Sequence, residues 1–396
     1  MNGKVIKILN ELRWIDALKV RNRLEEITYD PMRSQEEFVM RLMRENANTE
    51  YGCLHGFENI RNLDDFKRQI PLATYDDYLP YVERIAGGES NVLTTYLTMH
   101  VSLLLGDRKI PLSRWGVQSC YDYGFRVGFY IAGNHGYLKE GMTLNLANGG
   151  MENEPSGMSV GNLLDRLLTM RDFEDENVYV IPHGVANLPD NNDALHIKAL
   201  YALGHRDISL VICDHYDNMV DLLQYIEQNW QELADDVERC DGLVQADTER
   251  ANAIRKIMKT RRAGTHLVTQ LWPKLRCIMV HDVGCLGEGF ELLRTYCGSN
   301  VHFVFSGINA PEGTFSSALN LDDPQTVLIP DSVFYEFKPK EANDYSELLT
   351  LDKLKIGRSY ELIVTTLSGL YRYKTGKTLL VAGRYHDTPT VIVDKD

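Results

Sequence analysis

Ser368-Gly369-Leu370-Tyr371-Arg372-Tyr373-Lys374-Thr375-Gly376 is the stretch on which the reading of this chain turns. Two glycines bracket an alternation of aromatic and basic residues. In a strand, successive side chains face opposite sides, so Arg372 and Lys374 would share one face and Tyr371 and Tyr373 the other. A cationic face beside tyrosines suits a nucleotide, because the cations pair with phosphate and a ring can stack on a base. A solvated strand with core tyrosines is the other reading of the same residues.

Short apolar runs bounded by Asp, Gly or Pro surround this stretch and read as strands: Ser209 to Cys213, Arg276 to Val280, His302 to Phe305, Thr326 to Ile329, Val333 to Phe337, Tyr360 to Thr365 and Thr390 to Val393. Helical patterns separate the first three, which predicts parallel crossover units. The later runs follow one another closely enough for antiparallel pairing. Towards the N-terminus, Val5, Leu9, Leu12 and Ile15 recur at helical spacing and predict a core-facing stripe. Ser34 with Glu37 forms a capping box ahead of Phe38, Leu42 and Met43. A third helix, capped by Asp217, carries Met219, Leu223, Ile226, Trp230, Leu233 and Val237 on one face, and a fourth spans Thr248 to Lys259. The fold class is α/β, with mixed sheets flanked by helices.

Composition narrows the function. At 396 residues and 44% hydrophobic, the chain can bury a large core. Lys and Arg number 42 against 56 Asp and Glu, a net charge of 42 − 56 = −14, which disfavours nucleic acid and anionic membranes as partners. No apolar signal core opens the sequence and no window approaches a membrane span, so the expected location is the cytoplasm. Seven cysteines without a C-x-x-C pair fit thiols better than a disulfide or zinc framework. Cys213-Asp214-His215 reads as a strand end rather than a metal site.

Three stretches resemble the Gretchen Hagen auxin-responsive family, acyl-acid amido synthetases that adenylate a carboxylic acid with ATP and pass the acyl group to an amine. The first runs from Thr49-Glu50-Tyr51-Gly52 through Gly56-Phe57, Ile70-Pro71 and Tyr75-Asp76 to Leu93-Thr94. The second is Phe334-Tyr335-Glu336-Phe337-Lys338-Pro339, and the third is Gly357 and Tyr360-Glu361-Leu362 through Gly376. The resemblance implies an adenylating-enzyme-like large N-terminal domain over residues 1–385. Residues 386–396 would then be the remnant of a hinge strand, with the family's mobile C-terminal domain expected to be absent.

The resemblance also implies where ATP and Mg²⁺ would sit, and the sequence departs from the pattern at each place. Aligned on Pro111, the family's Gly-rich phosphate loop falls on Met99 to Arg108, where only the Ser102 hydroxyl and the Arg108 cation fit and Val101 and Leu105 replace glycines. His100 to Leu105 looks instead like a buried strand. The family's Mg²⁺-binding turn falls on Ala310-Pro311-Glu312-Gly313, keeping Glu312 and Gly313 but placing Pro311 where a serine belongs. Glu312 is either a retained Mg²⁺ ligand or an inherited turn carboxylate. Tyr371, Arg372 and Gly376 match the third motif, but Lys377 replaces its ribose-binding aspartate, and an ammonium accepts no hydrogen bond. If a small carboxylic acid binds, Gln118 to Gly150 should line its pocket, with Tyr121, Tyr123, Phe125, Phe129 and Tyr130 as clamp or core. Two functions stay open. One is a non-catalytic binding or regulatory member. The other is an ATP-dependent ligase, with a protein partner supplying the missing C-terminal domain. A third, acyl transfer from an activated donor, would need a nucleophile or base such as His100, Cys120 or His281.

Overall fold

The computed structural model describes residues 3–394 apart from 105–107, 139–140, 147–150, 155, 170–177, 187, 189–190, 240–243, 262–265, 283 and 285. Two helices open it, α1 (Gly3–Ile27) and α2 (Pro31–Glu45). α1 is apolar over a broad arc, and the face it buries is not the expected one. Ile6, Asn10, Ala17 and Leu24 point inward while Val5, Leu12 and Ile15 are exposed. Asn10 accounts for the choice, since its Nδ2 donates to the Leu138 and Gly141 carbonyls at 2.5 and 3.3 Å. The start of α2 also differs from expectation. Asp30 caps it, accepting from the Arg33 N–H at 3.1 Å with Pro31 in the first turn, so Ser34 lies inside the helix and Glu37 pairs with Arg33.

A hairpin follows, β1 (Thr98–Leu104) and β2 (Arg108–Ser113), with Val101 opposite Pro111 and Ser102 opposite Ile110. The strand expected at His100 to Leu105 is therefore present through Leu104, while Leu105, Gly106 and Asp107 lie outside the described residues. β2 runs into α3 (Arg114–Tyr121), a single π-helical turn at Asp122–Arg126, and α4 (Val127–Asn134).

A parallel sheet in the order β3 (Met142–Leu146), β4 (Ile208–Cys213), β5 (Cys277–Val280) and β6 (His302–Phe305) forms the centre of one core. β4 to β6 are the expected crossover strands. α5 (Tyr216–Arg239) seals this sheet with Met219, Leu223, Ile226, Leu233 and Val237 buried, and α6 (Thr248–Thr260) packs beside it. Asp217 sits in the first turn of α5 rather than before it.

An antiparallel sheet of six strands forms the second core, ordered 316–318, 326–328, β10, β9, β8, β7. These are β7 (Val333–Pro339), β8 (Ser359–Thr366), β9 (Tyr373–Tyr385) and β10 (Thr388–Val393). β10 lies between 326–328 and β9, paired on both edges. The architecture is mixed α/β, with several sheets flanked by helices, as the sequence implied.

Candidate functional site

The carboxyl ends of β4 and β5 lie side by side, because Cys213 pairs with Val280 in register. The next residues, Asp214 and His281, therefore face each other, and His281 Nδ1 lies 3.4 Å from Asp214 Oδ1. Asn162 Nδ2 donates to the other Asp214 oxygen at 2.8 Å. Burial acts to raise the Asp214 carboxyl, but the hydrogen bonds from His281 and Asn162 and the nearby histidine charges outweigh it and hold it below its ordinary value. A carboxylate only accepts, so the His281 Nδ1–H donates to it. Nε2 is buried and has no hydrogen-bond partner.

These groups wall a cavity of about 110 Å³ with Ser102, Leu103, Leu163, Asp282, Asn309 and Pro311. The turn at Pro311 and Glu312 joins a two-residue ladder in which Ala310 pairs with Gly313. Gly313 takes φ +147, and a Cβ there would meet nothing within 4 Å, so it supplies backbone freedom rather than room for a ligand. Asn309 donates to the His281 carbonyl and accepts from Thr314, which pins the turn to β5.

Glu312 is fully buried, and one of its oxygens, Oε2, has no partner. Burial pushes its carboxyl above the ordinary range, opposed by the Lys377 ammonium and a hydrogen bond from Tyr373. Burial likewise raises Asp282, and there Lys377 is the leading opposing charge. Lys377 thus stands as the counter-charge to two carboxyls. Ser102 is buried on β1 and belongs to the cavity wall. Arg108 is exposed at the start of β2, its guanidinium 5.1 Å from the centre of the Tyr75 ring.

Tyr371 and Arg372 point elsewhere. β9 begins only at Tyr373, and Arg372 takes a left-handed φ of +49, so the strand alternation that would pair Arg372 with Lys374 is broken. The Arg372 guanidinium turns inward. Nε and Nη2 grip Glu336 at 2.8 and 2.9 Å, and Nη1 donates to the Lys67 and Ile70 carbonyls at 2.6 and 2.7 Å. Lys374 instead lies over the Tyr345 ring at 4.0 Å. Tyr371 is fully buried, stacked on Tyr51 at 5.2 Å, with its hydroxyl donating to the Leu93 carbonyl at 2.8 Å. Both residues tie elements together, which corrects the shared cationic face. Gly376 takes φ +72 within β9, with open space around it.

The ring-rich helical stretch packs its rings on one side, while on the other Gln118, Ser119, Asp122 and Tyr123 wall a cavity of about 540 Å³ together with Arg23, Arg41, Tyr96, Trp115 and Asp331. Tyr121 stacks on Phe125 at 5.5 Å, and Phe125 meets Phe129 edge to face at 4.8 Å. A Cβ on Gly124 would lie 2.6 Å from Asn309 Oδ1, and one on Gly128 would run into the Met279 sulfur. Tyr123 donates to Asp331 at 2.8 Å. Gly150, at the end of the expected acyl-pocket segment, lies outside the described residues.

A family model described as the GH3 family N-terminal domain matches residues 20–302, and one described as the GH3 family central domain matches 326–394. The chain belongs to the GH3 family. A putative indole-3-acetic acid-amido synthetase GH3.10 from Oryza sativa subsp. japonica is 27% identical over 92% of this chain and 78% of its own. Indole-3-acetic acid-amido synthetase GH3.3 from Arabidopsis thaliana is 24% identical over 94% of this chain and 68% of its own. Among solved structures, the GH3.15 acyl acid amido synthetase matches with a TM-score of 0.82 at 21% identity, over 94% of this chain and 70% of that one. That likeness speaks to the fold.

The relatives are acyl-acid amido synthetases, whose chemistry is consistent with ATP, and the resemblance would place that nucleotide by Ser102, Arg108, Glu312, Tyr371 and Arg372, which do not converge on one surface among the described residues. The cavity beside Asp214 is a fraction of the roughly 300–1,000 Å³ usual for small-ligand sites. Its wall holds Asp214 and Asp282, with Glu312 next in sequence to Pro311, and the half-buried Lys377 acts on Asp282 and Glu312. Among the described residues no three His, Cys, Asp or Glu side chains group to hold a metal ion. Sequence reasoning missed His281 with Asp214. They are 67 positions apart, and only the parallel register joins them. No helix among the described residues is long and apolar enough to cross a membrane.

Proposed function

We propose that this GH3-family chain is a non-catalytic binding or regulatory member that no longer adenylates a carboxylic acid. The observation that carries the reading is the small cavity walled by Ser102, Asp214, Asp282 and Pro311. Tyr371 and Arg372 support it, since their polar atoms are taken up by Leu93, Glu336, Lys67 and Ile70. Lys377 adds to it by standing against Glu312 and Asp282 as a donor where an acceptor is needed. We place the protein in the cytoplasm on its composition and on the free thiols of Cys53, Cys120, Cys213, Cys277 and Cys297.

A second reading, an ATP-dependent ligase joining a carboxylic acid to an amine, draws on the relatives' names and on the unpartnered Glu312 Oε2, an oxygen free to meet a cation. ATP–pyrophosphate exchange separates the two. The purified chain, given aromatic, aliphatic and amino-acid carboxylates with Mg²⁺, should show only background exchange, and Lys377→Asp should not raise it. Robust exchange by the chain alone would establish the ligase, and exchange only after a second polypeptide is added would establish a ligase completed by a partner.

A further inference from the structure

The groove of about 540 Å³ between α1, α2 and α3 holds charges of both signs, but only one sign is matched. Its carboxylates are engaged. Asp331 meets Arg23 at 2.5 Å and the Tyr123 hydroxyl at 2.8 Å, Asp122 meets Arg126 and Gln118 at 2.7 and 2.9 Å, and Glu45 accepts from Tyr96. Three arginines are not. Arg41 lies on the wall, Arg44 follows it three residues later on the same side of α2, and Arg114 opens α3 beside Trp115. None of the three has an ion pair or a side-chain hydrogen bond among the described residues; Arg41 meets the Phe38 ring at 5.7 Å and Arg114 the Trp115 ring at 6.0 Å. The Tyr96 phenol, raised by its burial and by Glu45, feels Arg41 and Arg44 acting the other way, which sets both guanidinium groups near the groove. Trp115 leaves 53% of its surface in water on the same wall. Arg, Trp and Tyr are the residue types that dominate binding between polypeptides.

We propose that this groove is a docking site for an acidic segment of a partner polypeptide that carries an aromatic anchor. The inference stands apart from the question of adenylation, because the groove shares no residue with the cavity beside β4 and β5. The anchor ring lies on Trp115 and Tyr96 against Val20 and Leu367. The space admits that ring and a neighbouring residue, since a cavity of about 150 Å³ already holds benzene. Carboxylates on either side of the anchor meet Arg41 and Arg44 on one helix and Arg114 on another, each guanidinium being able to grip a carboxylate by two bonds. A chain with spaced carboxylates reaches cations on two helices, which a single small anion does not. A phosphate polymer such as RNA fits less well, because Glu45, Asp122 and Asp331 share the wall and the whole chain carries a charge of −14.

Fluorescence anisotropy with the full chain tests this. The labelled probes are the peptide Gly-Glu-Glu-Trp-Glu-Glu-Gly, the same peptide with glutamine for every glutamate, the same peptide with alanine for tryptophan, and a uridine heptamer. The acidic tryptophan peptide should bind saturably and the other three at least tenfold more weakly. Arg41→Glu combined with Arg44→Glu should weaken it at least tenfold, and so should Trp115→Ala alone, with the urea midpoint of each variant unchanged. The four probes on the unmutated chain decide the matter even if a variant does not fold. No saturable binding of the acidic tryptophan peptide, equal binding of the glutamine peptide, or full affinity in both folded variants would overturn the docking site. Tighter binding of the uridine heptamer would overturn it in favour of RNA. Pyrophosphate exchange reports on the non-catalytic reading independently of all four probes.

Discussion

Arg372→Ala should destabilise this protein severely without touching a nucleotide. The Arg372 side chain is 10% exposed and that of Glu336 only 1%, so the pair is closed off from water. Alanine would leave the Glu336 carboxylate buried with no counter-charge, which costs roughly 3–5 kcal/mol in comparable pairs. It would also strip the donor from the Lys67 and Ile70 carbonyls, adding about 1 kcal/mol. The expected loss is therefore about 4–6 kcal/mol, read as a shift of the urea midpoint at unchanged slope. Removing both charges with Arg372→Met and Glu336→Leu should recover much of it, leaving mainly the unpaired carbonyls. Arg372→Lys should fall between, because one ammonium cannot reproduce the two-pronged grip. A loss under about 1 kcal/mol for Arg372→Ala, or a double variant no better than the single one, would refute the internal-tie assignment. Unchanged stability with altered ATP affinity would return Arg372 to the nucleotide.

Gly369 takes φ +93, and a Cβ there would sit 2.6 Å from Leu93 Cβ and 3.0 Å from its carbonyl, so Gly369→Ala should cost about 2–3 kcal/mol in a thermal or urea melt. A change below about 0.5 kcal/mol would mean that the turn yields. Glu25 joins α1 to the β9–β10 turn: burial raises its carboxyl, but hydrogen bonds from Tyr385, His386 and Arg21 outweigh it and bring it down to about 2. A lowered carboxyl stabilises above its unfolded value near 4.5, and that contribution is lost as pH falls towards 2. Because the side chain is about one-third exposed, screening leaves on the order of 1 kcal/mol. Glu25→Gln should lower stability at pH 7 by that amount and flatten the acid limb between pH 4.5 and 2, and an acid limb identical to that of the parent chain would contradict the assignment.

Patterns local in sequence were legible where burial is the only force acting. β4, β5 and β6 are short runs of apolar residues ended by polar ones, and each lies within a residue of where the run predicts it. The α5 stripe is buried, apart from the half-buried Trp230, because one apolar face left only one way to pack. α1 was not legible, since apolar residues cover much of its circumference and a polar residue, Asn10, selects the inward face through carbonyls about 130 positions away. β3 carries Thr143 and Asn145 between its apolar residues and gave no clear signal, although both are buried in the sheet.

Sequence alone determined the family, the mixed α/β class and the acidic character, because each is a matter of residue type and spacing. Tertiary structure alone decided what the retained residues do. Arg372 reads as a phosphate ligand by its motif, yet its direction depends on a left-handed backbone turn and on Glu336, 36 positions earlier across β8. His281 carries no signature in the sequence, yet parallel register sets it against Asp214 at the edge of a small acidic cavity. A motif specifies which atoms are available, and the hydrogen bonds and charges met in three dimensions determine which of them remain free to bind anything.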